Sequence, residues 1–326
     1  MAVNHKIEQL NADKYAPYVI KLENDGAHAV DFIAQNKDLV EELVRKSGAL
    51  LIRGGGFDTP GKVQQVSELF FEQALTGNTE HRPIEKGLTV QRPVEYSPKE
   101  FLLWHNENTF NHSFPSRAIF ACELPAAEGG QTPVVDSRAV LENLDEKIKQ
   151  EFLEKGVMYV RKYEDHDFIG LGWKTIFETT DKAEVEQKCR EKHMGFEWIN
   201  GNTLITRAVR PAIFEHPQTG EMTWINQLLH WHFHCLSPTA QADIKMLFEH
   251  EHLYPRNCYF GDGSKIPDEY IDHIHSVYQK NHMEFDWQKG DLLLVDNILK
   301  AHSRNAYQGE RKVMVCFGDP ISFSQA

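Results

Sequence analysis

The chain is 326 residues long and 41 % apolar, with 35 Lys and Arg against 48 Asp and Glu, a formal charge of -13, 17 His and only 5 Cys. That is enough apolar chain to bury a large core, while the acidic balance and the lack of any long Lys/Arg run argue against nucleic acid or an anionic membrane as partner. No stretch approaches the roughly 18 apolar residues of a spanning helix, and the polar N-terminus lacks the apolar segment of a leader, so a cytoplasmic protein is expected.

No repeat, low-complexity tract or Pro/Gly/Ser linker divides the sequence, which predicts one continuous domain. Residues 29–47 carry Val30, Phe32, Ile33, Leu39, Leu43 and Val44 near helical spacing, predicting a helix that ends at Gly48. The run 49–53, Ala-Leu-Leu-Ile-Arg, closed by Gly54, Gly55 and Gly56, predicts a buried strand and a turn. Further helices are predicted over 60–76, 138–155, 181–194 and 236–251, with short strands and long loops between them. Residues 290–297 read as turn, strand and turn, and 311–319 as a last strand. This mixture fits a mainly β fold with flanking helices, a sandwich or jelly roll, better than alternating βαβ units. A parallel α/β fold is the alternative, weakened because Gly54 to Gly56 match neither phosphate-loop glycine spacing.

The five Cys are scattered and never form a C-x-x-C pair, so a metal here would be held by His and carboxylate. The pattern His105-Asn106-Glu107 supplies one of each, and on an extended strand the two side chains share a face. Alone the tripeptide is weak, since 17 His and 48 acidic residues produce it by chance. A third ligand is best placed at His302, which follows an apolar strand and the polar turn Asp296-Asn297. Two His and one carboxylate make the facial triad of non-haem Fe(II) oxygenases, which leaves positions open for co-substrate and dioxygen. The H-E-x-x-H pattern of zinc hydrolases is missing.

Several ordered blocks over about 45–319 resemble the Fe(II)/2-oxoglutarate dioxygenases of the taurine dioxygenase (TauD/TfdA), clavaminate synthase-like family. They are 48–54 (Gly-Ala-Leu-Leu-Ile-Arg-Gly), His105-Asn106-Glu107, the Gly129-Gly130-Gln131-Thr132 to Asp136 block, the His216-Pro217-Gln218-Thr219-Gly220 hairpin, and Asp296-Asn297 before His302 with Arg311 after it. The resemblance implies a double-stranded β-helix (jelly roll) core over about 81–326, preceded by a helical and strand portion over about 1–80. It implies Fe(II), 2-oxoglutarate and dioxygen, with His105, Glu107 and His302 on the metal. Arg311 would pair with the distal carboxylate of 2-oxoglutarate, the geometry a planar guanidinium suits, and Thr132 would add a hydroxyl. Many members carry Asp where this chain has Glu107, a variant that resembles the amino-acid hydroxylase branch.

Arg304, two residues from His302, competes with Arg311 for the co-substrate or contacts substrate. Arg207, Arg210 and Asn226 are further candidates for a substrate, each with a solvated loop or a turn as the alternative. His230, His232 and His234 alternate in a segment expected over the site entrance, and Glu95, Tyr96 and Trp104 are expected pocket walls. The reaction expected is oxidation of an unactivated C–H bond in a small polar molecule, an amino acid or a carrier-tethered aminoacyl group. The alternatives are a non-catalytic ligand-binding member of the fold and a zinc or manganese hydrolase with the same ligands.

Overall fold

The computed structural model describes residues 4–23, 28–76, 83–167 and 170–323. Strand Leu292–Asp296 shows how the sequence builds the larger sheet. Successive side chains point to opposite faces, yet Leu292 to Val295 are all buried, because both faces are covered. Leu292 and Leu294 pack under Phe32, Ile33, Val40 and Val63 of the helices Ala29–Gln35, Lys37–Ser47 and Pro60–Phe70. Leu293 and Val295 face inward with Phe120, Val315, Phe317 and Val134. An unbroken apolar run is therefore required, and 292–295 supplies it.

This sheet has six strands in the order His5–Gln9, Tyr18–Leu22, Ala49–Arg53, Leu292–Asp296, Ser113–Leu124, Lys312–Ser322. Only Tyr18–Leu22 beside Ala49–Arg53 is parallel. The portion before residue 81 thus contributes strands to the same sheet as the chain's end. Opposite lies a sheet of His282–Met283, Val134–Asp136, Lys300–Arg304 and Leu102–His105. Its outer residues Val135 and Ala301 join Trp104 and the helix Asp268–Asn281, through Ile274 and Tyr278, in a separate core. Arg256–Phe260, Val157–Tyr163, Thr203–Arg210 and Gly195–Ile199 form a third sheet. The result is the mainly β jelly roll with flanking helices.

Several predicted helices are shorter or broken. The helix over 29–47 divides at Asn36, whose φ of -116° is not helical and whose side chain donates back to the Phe32 carbonyl. The helix over 60–76 stops at Phe70, because Glu72 and Gln73 give their backbone N–H groups to the Asp319 carboxylate instead. The helix over 138–155 divides into Ser137–Asn143 and Glu146–Lys155, while 181–194 and 236–251 shrink to Lys182–Glu191 and Pro238–Leu247. The longest helix among the described residues, Asp268–Asn281, lies outside the helices predicted from the sequence.

Candidate metal centre and its cavity

His105 ends the strand Leu102–His105 and stands directly opposite His302 in antiparallel register, the two rings 4.4 Å apart. The strand does not continue to Glu107, contrary to the expectation of a shared strand face. The chain turns at 107–110, with Asn108 at φ +59°, and that turn carries the Glu107 carboxylate to 3.9 Å from His105 Nε2 and 3.8 Å from His302 Nε2. One ligand atom from each residue lies within 4.8 Å of the others, the sole such cluster found among the described residues.

The surroundings suit a cation. His105 Nδ1 donates to the Leu103 carbonyl at 2.8 Å, which leaves Nε2 with its lone pair toward the centre. Burial pushes the His302 imidazole down to about 3, aided by His105, so it is neutral, the form a metal needs. The imidazole–carboxylate separations are beyond hydrogen-bond length, and the two nitrogens with one carboxylate fit Fe(II).

Glu107 is held through its backbone. Fully buried Asn297 accepts from Glu107 N–H at 2.7 Å and donates to Glu107 O at 3.1 Å and Pro115 O at 2.7 Å. Asn106 donates to Asn297 O at 2.8 Å, while Asn226 and Gln227 bond the Asn106 side chain and backbone. Asp296 accepts from His216 Nε2 at 2.9 Å, and His216 Nδ1 accepts from the turn N–H groups of Gln218 and Thr219. These motif residues therefore shape the turn that carries the carboxylate. Asn297→Ala is expected to weaken metal affinity about 10- to 100-fold and to cost about 1–3 kcal/mol, read by metal titration and chemical denaturation; unchanged metal affinity would show that the clamp is dispensable.

Next to the centre, Arg311 Nε donates to Gly130 O at 2.8 Å and Nη2 to Thr132 Oγ1 at 3.3 Å, while Trp287 Nε1 donates to the same hydroxyl at 3.0 Å. No carboxylate among the described residues pairs with Arg311 within salt-bridge distance. Burial pulls its guanidinium down to about 10, with neighbouring Arg304 adding to the effect, so it remains a cation seeking an anion. Gly130, at φ +72°, is required here: a Cβ would lie 3.0 Å from Arg311 Cδ.

One cavity of about 890 Å³ joins these groups; its lining includes His105, Glu107, His302, Thr132, Arg304 and Arg311, with Glu95 and Tyr96 on the wall. Other expected contacts lie elsewhere. Arg207 points to the surface and pairs with Glu197 at 2.9 Å across the adjacent strand. Arg210 is buried and spends its N–H groups on the carbonyls of Phe110, Lys192, His193 and Val209. Asn226 is committed to the metal turn, and Trp104 stacks on Tyr278 in the core. Arg304 lines the cavity but donates to the carbonyls of Tyr96, Ser97 and Glu100, fixing that loop over the site. The His-rich segment is a short helix, Leu228–Trp231, followed by a tight turn, and it puts His230 on the cavity wall 5.3 Å from the His105 ring.

Two imidazoles and a carboxylate on one side of an iron leave the other side for a chelating acid and dioxygen, which is the chemistry of non-haem Fe(II) oxygenases. The chain belongs to the family described as taurine catabolism dioxygenase TauD, TfdA, matching over residues 13–317. It is 34 % identical over 286 residues to the dapdiamide synthesis protein DdaC of Enterobacter agglomerans, covering 86 % of this chain and 85 % of that one. It is 29 % identical over 293 residues to a clavaminate synthase-like protein of Arabidopsis thaliana, with 86 % and 84 % covered. In fold it is similar to a taurine dioxygenase from Burkholderia xenovorans (TM-score 0.56, 14 % identity, 99 % and 92 % covered) and to PvcB of Pseudomonas aeruginosa (TM-score 0.55, 15 % identity, 96 % and 90 % covered). As a member of this family the chain is an oxidoreductase that uses Fe(II), 2-oxoglutarate and dioxygen. No helix among the described residues is long and apolar enough to cross a membrane.

Proposed function

We propose that the chain oxidises an unactivated C–H bond of a small acid, an amino acid or a carrier-tethered aminoacyl group, as 2-oxoglutarate is converted to succinate and carbon dioxide. The observation that carries this reading is the charge of the cavity. In a chain of net charge -13, its lining holds seven Lys and Arg against two carboxylates, Glu95 and Glu107; Arg92, Lys162 and Lys312 pair with Glu123, Glu164 and Glu310, so the positive excess rests on the remaining arginines, among them Arg304 and Arg311. A cleft of one sign concentrates ligands of the other. One arginine serves the co-substrate, and the rest of the excess favours a second acid. The names of two similar proteins, DdaC, a dapdiamide synthesis protein, and PvcB, described as an oxygenase from an isonitrile synthetic pathway, support a small-molecule biosynthetic substrate.

In this reading His105, Glu107 and His302 hold the metal, which supplies, when bound, the power to oxidise the C–H bond. Arg311 binds the distal carboxylate of 2-oxoglutarate, its plane set by the bonds of Nε to Gly130 O and of Nη2 to Thr132 Oγ1. Phe120, whose ring is 4.9 Å from that of His302, and the neighbouring Val315 and Phe317 give the centre an apolar wall that excludes water. Arg304 keeps Tyr96 and its loop in place over the cavity.

A succinate-release screen with Fe(II), 2-oxoglutarate, free amino acids and carrier-tethered aminoacyl groups tests the proposal. At least one acid is expected to raise succinate release about tenfold or more above the substrate-free rate. A flat response across both sets would contradict the substrate class.

A further inference from the structure

The cavity wall formed by residues 228–247 loses burial in chain order. It starts at the short helix Leu228–Trp231, where Leu228, Leu229 and Trp231 are buried and the His230 ring lies 5.3 Å from the ring of His105. Further along, Leu236 is half-buried, and the helix Pro238–Leu247 has no buried residue. Trp231, Leu236, Ala240 and Ile244 all line the cavity. They form one apolar wall that leads from beside the metal centre to the surface.

A helix of ten residues is marginal in water on its own, and in a folded protein an apolar face packed on the core holds it. Here that support is incomplete. Ala240 and Ile244 are four positions apart and share one face, and that face borders the cavity, with neither residue buried. The helix is fastened mainly near its start. Ser237 Oγ accepts from Ala240 N–H at 3.3 Å, Gln241 Nε2 donates to the carbonyls of His234 and Leu236, and Lys245 Nζ lies 5.4 Å from the Phe233 ring centre. Lys162, a cation of the same cavity lining, pairs with Glu164 and lies 4.7 Å from the Phe248 ring centre, just past the helix end.

The cavity volume agrees with a ligand that covers this face. Clefts of roughly 300–1,000 Å³ take drug-sized ligands, and this one, at about 890 Å³, lies near the top of that range. A free amino acid is far smaller than such a ligand, and so is 2-oxoglutarate.

We infer that the molecule being oxidised is an acid that carries an uncharged, largely apolar arm, and that the arm lies along Leu236, Ala240 and Ile244 toward the surface. Contact with Ala240 and Ile244 alone spans about 6 Å along the helix, so the arm is several bonds long. This rests on the reading that the substrate is an acid oxidised at this metal centre, and it adds what that acid bears. An N-acyl amino acid meets the description, whereas a bare amino acid leaves the helix face uncovered.

The test measures kcat/KM of the full chain on amino acids carrying N-acetyl, N-butanoyl and N-hexanoyl groups, beside the bare amino acids. Burying one methylene is worth about fourfold, so on this partly open path the hexanoyl derivative of the preferred amino acid is expected to exceed the acetyl one about tenfold or more. Ile244→Glu, which sets a charge in the path, should bring that ratio near one, and Ile244→Leu should keep it. Met246→Glu, on the exposed outer side of the same helix, should keep it as well. Integrity of each variant is read separately from anaerobic binding of 2-oxoglutarate with Fe(II), where half-saturation should stay within about twofold of wild type. If acids are turned over but acyl length has no effect, or if Met246→Glu removes the length dependence as fully as Ile244→Glu, the arm and its path are wrong while the substrate class stands. If the wild type turns over neither the bare nor the acylated acids, both fall.

Discussion

Glu107→Ala is expected to lower succinate formation to the metal-free background while leaving the circular dichroism spectrum and melting temperature near those of the wild type. Loss of a group that merely supports a metal ligand costs about 10- to 100-fold, so loss of the one carboxylate ligand should exceed that. The fold should survive because the contacts that hold this turn are made by the backbone of residue 107, to Asn297, and alanine keeps both. Removing a largely buried carboxylate from between two imidazoles also lifts a burial cost. Wild-type succinate formation by a folded Glu107→Ala protein would remove Glu107 from the metal.

Lys300→Met is expected to have the largest effect on stability. Lys300 has no exposed surface; its Nζ lies 2.9 Å from the equally buried Asp136 carboxylate and donates to Tyr15 O at 2.7 Å. Asp136 in turn caps the helix Ser137–Asn143 and binds the Arg138 side chain, which forks to Glu221. Breaking a buried ion pair from one side costs about 3–5 kcal/mol, because the other charge is left behind. Arg138 still faces Asp136 in the variant, which places the expected loss near the lower end, a melting temperature lower by roughly 4–5 °C for a chain of this length. Burial alone would raise the Asp136 carboxyl, but Lys300 and Arg138 outweigh it and hold the group below its ordinary value. A depressed carboxyl stabilises fully above its unfolded value near 4 and loses that contribution as pH falls further. The gap between wild type and Lys300→Met should accordingly be full at neutral pH and narrow below about pH 4. A change under about 1 kcal/mol at neutral pH would show that the pair is not a structural tie.

The convergence of His105, Glu107 and His302 into one candidate metal cluster is legible from residue types because the three sit in short, ordered motifs, yet the geometry that delivers one of them differs from the expectation. His105 and Glu107 do not share a strand face; the turn at Asn108 and the Asn297 clamp deliver the carboxylate. Arg207 and Arg210 were attractive as charges beside a motif, but strand alternation and register decide where they point, one to Glu197 and the other to backbone carbonyls. Arg161 and Arg256, which both line the cavity, carry no local signal, since they face each other only through the register of two distant strands. The helix Asp268–Asn281 did carry one: Pro267 at its start, Asp268 and Glu269 in its first turn, and Ile271, Ile274 and Tyr278 at helical spacing. Its apolar face was legible, but it lies inside a stretch otherwise rich in strands. Breaks such as that at Asn36 depend on side-chain bonds back to the helix, which hydrophobic spacing does not encode.

The central claim is that this chain binds Fe(II) through His105, Glu107 and His302 and 2-oxoglutarate through Arg311 in one cavity. Anaerobic titration of the apo protein with Fe(II) in the presence of 2-oxoglutarate tests it most directly. The expected result is a visible charge-transfer band that saturates at one iron per chain, is lost in Glu107→Ala, and needs roughly tenfold or more 2-oxoglutarate in Arg311→Lys, where the planar fork is gone. A folded protein that binds iron without that band, or whose band is indifferent to both substitutions, would contradict it.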